Sequence, residues 1–244
     1  MAHAQQRRAL SGPALIRILA RLTDVDVSAS AQPLSDRLSQ WLSWTDAITL
    51  SSALNAAPPA IASNMPPVGP DAETIGARVR AALTKSIASS CAPDVRPGSR
   101  APIQSASAPV VVDYADFRQR YLLMQQTMEL EICDLRGRLR RLLAARTPDL
   151  ARLAVLDASM EQALGARERS LLGAIPLMLA PYFERLRAAD ALRQAELPAA
   201  GPATQATSRA WLDAFRKDMQ SVLLAELDVR FQPADGLLAA LRPR

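Results

Sequence analysis

The sequence predicts an all-α fold, an elongated helical bundle built on a long antiparallel helical hairpin with Pro-rich linkers. Three observations carry that prediction. Apolar residues at Phe117, Tyr121, Met124, Met128, Ile132, Leu135, Leu139 and Leu142 recur at steps of three and four, so they make one stripe on one helix face. Thr147-Pro148-Asp149 breaks that run, and Leu150, Leu153, Leu156, Met160 and Leu164 begin another at the same spacing. No stretch alternates apolar and polar residues as a half-buried strand does, and Val110-Val111-Val112 is too short to need a sheet.

Residues 1–12 are expected to fray, and Pro13 to open a short helix with Leu15, Ile16, Leu19 and Leu22 on one face. A polar link comes next at 23–30. One helix is then expected from Pro33 to Leu54, carrying Leu34, Leu38, Trp41, Leu42 and Ile48 inward. Within it Trp41 and Trp44 are three apart and share a face, so either both are buried or one anchors a partner, with Trp44 the candidate. Residues 55–70 hold five prolines and no charge, the composition of a loop or linker. Asp71 caps a short helix in which Ile75, Val79, Leu83 and Ile87 repeat every fourth residue. Residues 89–111, with four prolines and scattered serines, read as a flexible linker. The stretch 13–88 thus reads as an N-terminal helical subdomain, docked on or tethered to the central hairpin.

The hairpin occupies 112–196. Asp113 is placed to cap its first helix, Asp116 adds negative charge to the first turn, and Val112 and Phe117 fall at the hydrophobic-staple positions. Roughly 30 residues at about 1.5 Å each make a rod of about 45 Å. Thr147 is the N-cap of the second helix, Pro148 its favoured first residue, and Asp149 complements the helix dipole. So short a link forces the two helices antiparallel. Pro176 and Pro181 predict a kink or break near Ala174, with helix resuming to about Glu196. A flexible tract at 197–206 leads to C-terminal helices over 207–241 that pack on the hairpin. Thr207 or Ser208 starts them, with Trp211, Phe215, Met219, Val222 and Leu223 on the apolar side. Pro233 is expected to end the long helix, and Asp235-Gly236 to begin a last turn grouping Leu237, Leu238 and Leu241.

Composition narrows the function. Hydrophobic residues make up 49% of the 244, but aromatics only 4%, so Leu and Ala must fill the core. The net charge is +5, and of 29 basic residues only Lys85 and Lys217 are lysine. The longest apolar run, 171–183, carries two prolines and falls short of the roughly 20 residues a membrane span requires. Arg7-Arg8 precedes an apolar start, but Arg17 and Arg21 would lie inside any signal-peptide core, so a cytoplasmic location is expected. Cys91, in a linker, and Cys133, mid-helix, read as unpaired thiols of a reducing compartment.

Chemistry-bearing motifs are sparse. The single histidine, His3, rules out hydrolytic triads, histidine zinc sites and the Glu-x-x-His di-iron bundle, and two separate cysteines are too few for a thiolate site. No Gly-rich phosphate loop precedes a Lys-Ser or Lys-Thr pair. Asp157 and Glu161 lie one turn apart, as an acid/base pair would, although a solvated helix face explains them better. No enzyme, cofactor or metal is therefore expected. Arg136, Arg138, Arg140, Arg141 and Arg146 form one basic cluster. They either grip phosphates or an acidic partner, or offset the negative end of the helix dipole, and the second reading weighs more. No aromatic interleaves them, so base stacking is unsupported. Arg230, Phe231, Leu237, Leu238 and Leu241 offer either a docking surface or, with somewhat more weight, core.

Several stretches carry a resemblance together: Leu38-Ser39-Gln40-Trp41-Leu42-Ser43-Trp44-Thr45-Asp46-Ala47-Ile48, Leu150-Ala151-Arg152-Leu153-Ala154-Val155-Leu156-Asp157, Arg167-Glu168, and Val222-Leu223-Leu224-Ala225-Glu226-Leu227-Asp228 with Gln232-Pro233 and Gly236-Leu237-Leu238-Ala239-Ala240-Leu241. They resemble an uncharacterised proteobacterial domain-of-unknown-function family, over most of the chain outside the linkers. Members are often encoded beside OmpA-like and MotA/TolQ-like membrane proteins, so the resemblance implies a cytoplasmic accessory of an envelope complex. It carries over no catalytic residue. The expected function is a non-enzymatic scaffold or adaptor whose helix faces meet a protein partner, membrane-associated or a second copy. The alternative is a nucleic-acid-binding protein using the Arg136–Arg146 cluster.

Overall fold

The computed structural model describes residues 13–23, 32–55, 71–93, 112–196 and 210–242, and among them there is helix and no strand. The helices are α1 (Ala14–Thr23), α2 (Leu34–Trp41), α3 (Trp44–Asn55), α4 (Ala72–Cys91), α5 (Tyr114–Ala144), α6 (Pro148–Gly173), α7 (Ile175–Glu196) and α8 (Ala210–Leu241). The expected all-α bundle is what the chain forms. The expected linkers at 56–70, 94–111 and 197–206, and the N-terminal 1–12, lie outside the described residues.

Local chemistry sets the hairpin. The Asp113 carboxylate accepts from the Ala115 amide at 3.1 Å, satisfying a first-turn donor of α5. Val112 packs against the core beside buried Phe117, as a staple does. Thr147 Oγ1 accepts from the Leu150 amide at 3.3 Å, with Pro148 in the first turn of α6. Antiparallel pairing is shown by the contacts across it, Glu129 with Arg169 and Arg136 with Asp157. The helix breaks at Ala174, where Pro176 can enter the first turn of α7 at no cost in hydrogen bonds. Pro181 sits inside α7 on an exposed position.

The core lies along α5 and α8, whose contact is the most extensive in the molecule. They run parallel: Phe117 meets Phe215 near one end, Tyr121 meets Glu226 further along, and Arg146 donates to the Leu241 carbonyl at the other. Helix α4 lies antiparallel against α8, with Glu73 bound to Arg242, and Arg80 bound to Asp228 and Asp235. Gly76 lets it approach, since a Cβ there would come within 2.6 Å of Leu238 Cδ1. At the start of α5 the rings of Phe117, Phe183 and Phe215 stack edge-on or tilted at 5.0–5.7 Å, closing the bundle with α7. Helix α1 covers α7 and α8 there. Its Leu15, Leu19 and Leu22 are buried, whereas Ile16 stays at the margin.

Three expectations are corrected. The helix expected from Pro33 to Leu54 is two helices. The Ser43 hydroxyl accepts from the Asp46 amide at 3.1 Å while the Asp46 carboxylate accepts from the Ser43 amide at 3.0 Å, a reciprocal cap that starts α3 anew. Trp41 and Trp44 therefore share no helix face, and Ile48 points outward, half exposed. Pro233 does not end α8. It sits on the solvent side with Gln232 and Gly236, while Phe231, Leu237, Leu238 and Leu241 bury the other side. Burying such a side chain is worth about 1.5–3 kcal/mol, so four outweigh the roughly 3 kcal/mol cost of an internal proline. Helix α4 runs on to Cys91, which belongs to it and not to a linker. Helices α1, α3 and α4 make their main contacts with the helices beyond residue 112.

Because Pro233 is exposed and denies the Val229 carbonyl its partner, Pro233→Ala should stabilise the fold by about 1–3 kcal/mol, less what the freer unfolded chain takes back. Urea denaturation reads this as a raised midpoint. A lowered midpoint would mean that α8 requires the proline.

Candidate functional site

The basic cluster of the sequence is largely neutralised from across the hairpin. Arg136, buried, donates from Nη2 to Asp157 Oδ1 at 2.7 Å and lies 3.0 Å from Glu161. Arg140 donates from Nε to Asp157 at 2.7 Å and from Nη2 to Glu161. Arg138 is held by Asp134 one turn earlier at 2.6 Å, and Arg146 by the Leu241 carbonyl. Arg141 and Arg146 face solvent without an ion pair among the described residues, and Arg141 also makes no side-chain hydrogen bond there. Asp157 and Glu161, weighed as an acid/base pair, are the anions that hold α6 to α5. Two carboxylates and two guanidiniums with mutual hydrogen bonds form a strut, in which each charge offsets the desolvation of the others.

The C-terminal candidates are core. Arg230, Phe231, Leu237, Leu238 and Leu241 are all buried, the placement that the core alternative expects of them. The Arg80 guanidinium lies over the Phe231 ring, 4.2 Å from its centroid. Trp44 is different: it is 81% exposed at the first position of α3. Its neighbour Trp41 is half-buried, with the guanidiniums of Arg37 and Arg167 at 5.3 and 5.6 Å from its ring. The cap beneath Trp44 is firm, because the Ser43 hydroxyl and amide hold the Asp46 carboxyl below the usual carboxylate range.

Sequence reasoning missed a buried polar centre. Glu226 has no exposed surface. It accepts from Tyr121 Oη at 2.7 Å, from Gln125 Nε2 at 2.9 Å and from Arg230 Nε at 2.8 Å. Gln125 Nε2 also donates to the Leu172 carbonyl in the last turn of α6. The signal was present: Glu226 interrupts the apolar run Val222-Leu223-Leu224-Ala225 and Leu227. Burial, then the neighbouring Glu226 charge, pushes the Tyr121 phenol well above its ordinary value.

Beside this centre lies a half-open cleft of about 130 Å³ between α5, α6 and α8. Cys133, Gly165, Glu168, Arg169 and Arg230 are among the residues that line it. Cys133 is an exposed free thiol, whereas Cys91 is buried and burial pushes its thiol pKa up. Among the described residues no group of three or more His, Cys, Asp or Glu is placed to hold a metal, and no helix is long and apolar enough to cross a membrane.

Residues 1–243 match the model of a family described as a protein of unknown function, DUF3348. The chain belongs to that family. No curated protein and no solved structure matches it. The family match agrees with the resemblance carried by the sequence motifs, and it spans the linkers as well as the helices.

The chain has three tyrosines, and all three keep their protons unusually long. Burial pushes Tyr114 up to about 12. Burial and its bond to Asp218 push Tyr182 to about 12, and Tyr121 is raised by burial and Glu226. The unfolded chain releases these protons near pH 10. Below that pH both states are protonated and stability is whole. Above it the folded state binds more protons, so stability falls as the pH rises from about 10 towards 12. Tyrosinate ultraviolet absorbance should stay low until the protein unfolds, with ellipticity falling in step. Ordinary ionisation of the folded protein near pH 10 would contradict this account of the three phenols.

Proposed function

We propose that this protein is a non-enzymatic helical scaffold or adaptor, presenting an outer helix face to a protein partner. The observation that carries the reading is the exposure of Trp44, with half-exposed Ile48 one turn further along α3. Helix α3 already packs on α6 through its other side, so this pair of large apolar side chains is turned to solvent on a helix held from behind. A Trp anchor beside an aliphatic neighbour is the composition that interface hot spots favour. The charged constellations support the same reading, since Arg136 and Arg140 answer Asp157 and Glu161 within the molecule. The nucleic-acid alternative keeps Arg138, Arg141 and Arg146 of its cluster on the surface.

The reading extends to a cytoplasmic accessory of an envelope-associated complex. The family resemblance supports that extension, through the membrane-protein genes often found beside its members. Two unpaired cysteines, one buried and one exposed, suit a reducing compartment. The partner of α3 is then a membrane-associated protein or a second copy of this chain.

Trp44→Ser combined with Ile48→Ser tests the proposal, since substitution at exposed positions should move stability by no more than about 0.5 kcal/mol. The wild-type chain, cross-linked in its native host and purified, should retain a defined protein that the double variant loses while its helicity is unchanged. Sedimentation of the purified chain distinguishes a second copy from a different partner. An identical set of captured proteins for both forms would sink the assignment to α3.

A further inference from the structure

We propose that the outer face of α5 is a self-association surface. A second copy of this chain packs its own α5 there, antiparallel, about a two-fold axis near Thr127. The surface is separate from the α3 face. Leu123 and Leu130, near the middle of α5, are 55% and 72% exposed, and Thr127 between them is exposed too. At about 100° per residue, Asp116, Leu123, Leu130, Asp134 and Arg141 all fall within about 40° of one another, so they make one straight stripe along the helix. Tyr121, Met128, Ile132 and Leu139 carry the core on the opposite side.

Exposed leucines alone name no occupant, but the charges flanking them do. Asp116 and Arg141 are exposed, and neither makes a hydrogen bond or ion pair among the described residues. They stand at opposite ends of the stripe, about 38 Å apart at about 1.5 Å per residue, so within one chain they cannot meet. In a copy running the opposite way about Thr127, Asp116 comes opposite Arg138 and Arg141, and Leu123 comes opposite Leu130. Half-buried Arg120 comes opposite Asp134, which Arg138 also holds at 2.6 Å within the chain. The midpoints of these pairs lie within about two residues of one another, about 3 Å along the helix, so one axis serves leucines and charges together. Each contact then occurs twice, as an isologous interface requires. A parallel copy would set Asp116 against Asp116 and Arg141 against Arg141, so the charges select the direction.

The backbone leaves room for that approach. Gly137, inside α5 and one turn before Arg141, presents no side chain where the first turns of the second α5 arrive. A Cβ there would meet only Arg141 Nη1, at 3.9 Å. Glycine is disfavoured inside a helix relative to alanine, and here it keeps the face low beside the charged end.

Sedimentation equilibrium of the full chain tests the proposal. The wild type should be a dimer. Leu123→Gln combined with Leu130→Gln, which keeps good helix formers at exposed positions, should be monomeric with unchanged helicity. Asp116→Arg and Arg141→Asp, made singly, should each raise the dimer Kd about tenfold, because each reversal acts at two symmetry-related contacts. Made together they should restore the dimer. The helix dipole disfavours both changes, so that recovery cannot come from a better fold. A wild-type chain still monomeric at about 100 µM would overturn the proposal. So would single reversals without effect, the result a parallel copy gives, or a combined variant that fails to recover. The Trp44→Ser and Ile48→Ser double variant should sediment as wild type. A dimer lost there and kept in the leucine variant would place the second copy on α3, overturning this proposal and leaving the α3 reading intact.

Discussion

A carboxylate with no exposed surface sits where three long helices meet, and the arrangement of those helices depends on how it is satisfied. Moving an ionised Glu226 out of water carries a penalty of several kcal/mol, repaid only when good partners surround it. Tyr121 and Gln125 of α5 and Arg230 of α8 are those partners, and Gln125 reaches on to the Leu172 carbonyl near the end of α6. Sliding α8 by one turn along α5, about 5.4 Å, would break the bonds of both Tyr121 and Gln125 to Glu226 at once. Apolar stripes of Leu and Ala tolerate such a slide far better, because their contacts are similar at each turn. The polar centre therefore fixes register, and the greasy surfaces supply the bulk of the binding between helices.

A second strut works the same way nearer the hairpin turn. Arg136 and Arg140 on α5 meet Asp157 and Glu161 on α6, so the far end of the hairpin is pinned by charge and the near end by aromatic packing of Phe117, Phe183 and Phe215. Between those pins the cleft with Cys133 is the place where packing between α5 and α6 is incomplete. The exterior of α3 turns Trp44 and Ile48 outward.

How legible each feature was in the sequence depends on the range of the interaction behind it. Asp113, Thr147 and Pro148 act on residues within one turn, so the start of α5 and the bend into α6 were legible. So was the break at Ala174. The Ser43-x-x-Asp46 cap was equally local, but the apolar pattern running from Leu34 to Ile48 hid it. Pro233 misled because a local rule met a tertiary one, and burial along α8 prevailed. The roles of Arg136 and Arg140 were not legible because their partners, Asp157 and Glu161, lie on the next helix. Tyr121 and Glu226 are separated by 105 positions, and only the oddity of an acid in an apolar run pointed to them.

Urea denaturation of Glu226→Ala is the most direct test of this account, since that change leaves Arg230 buried without its charge partner and Tyr121 and Gln125 without their acceptor. The account predicts a loss of about 3–5 kcal/mol, the cost of breaking a buried ion pair from one side. A variant with an unmoved midpoint would contradict it, because three helices would then hold their register without the carboxylate.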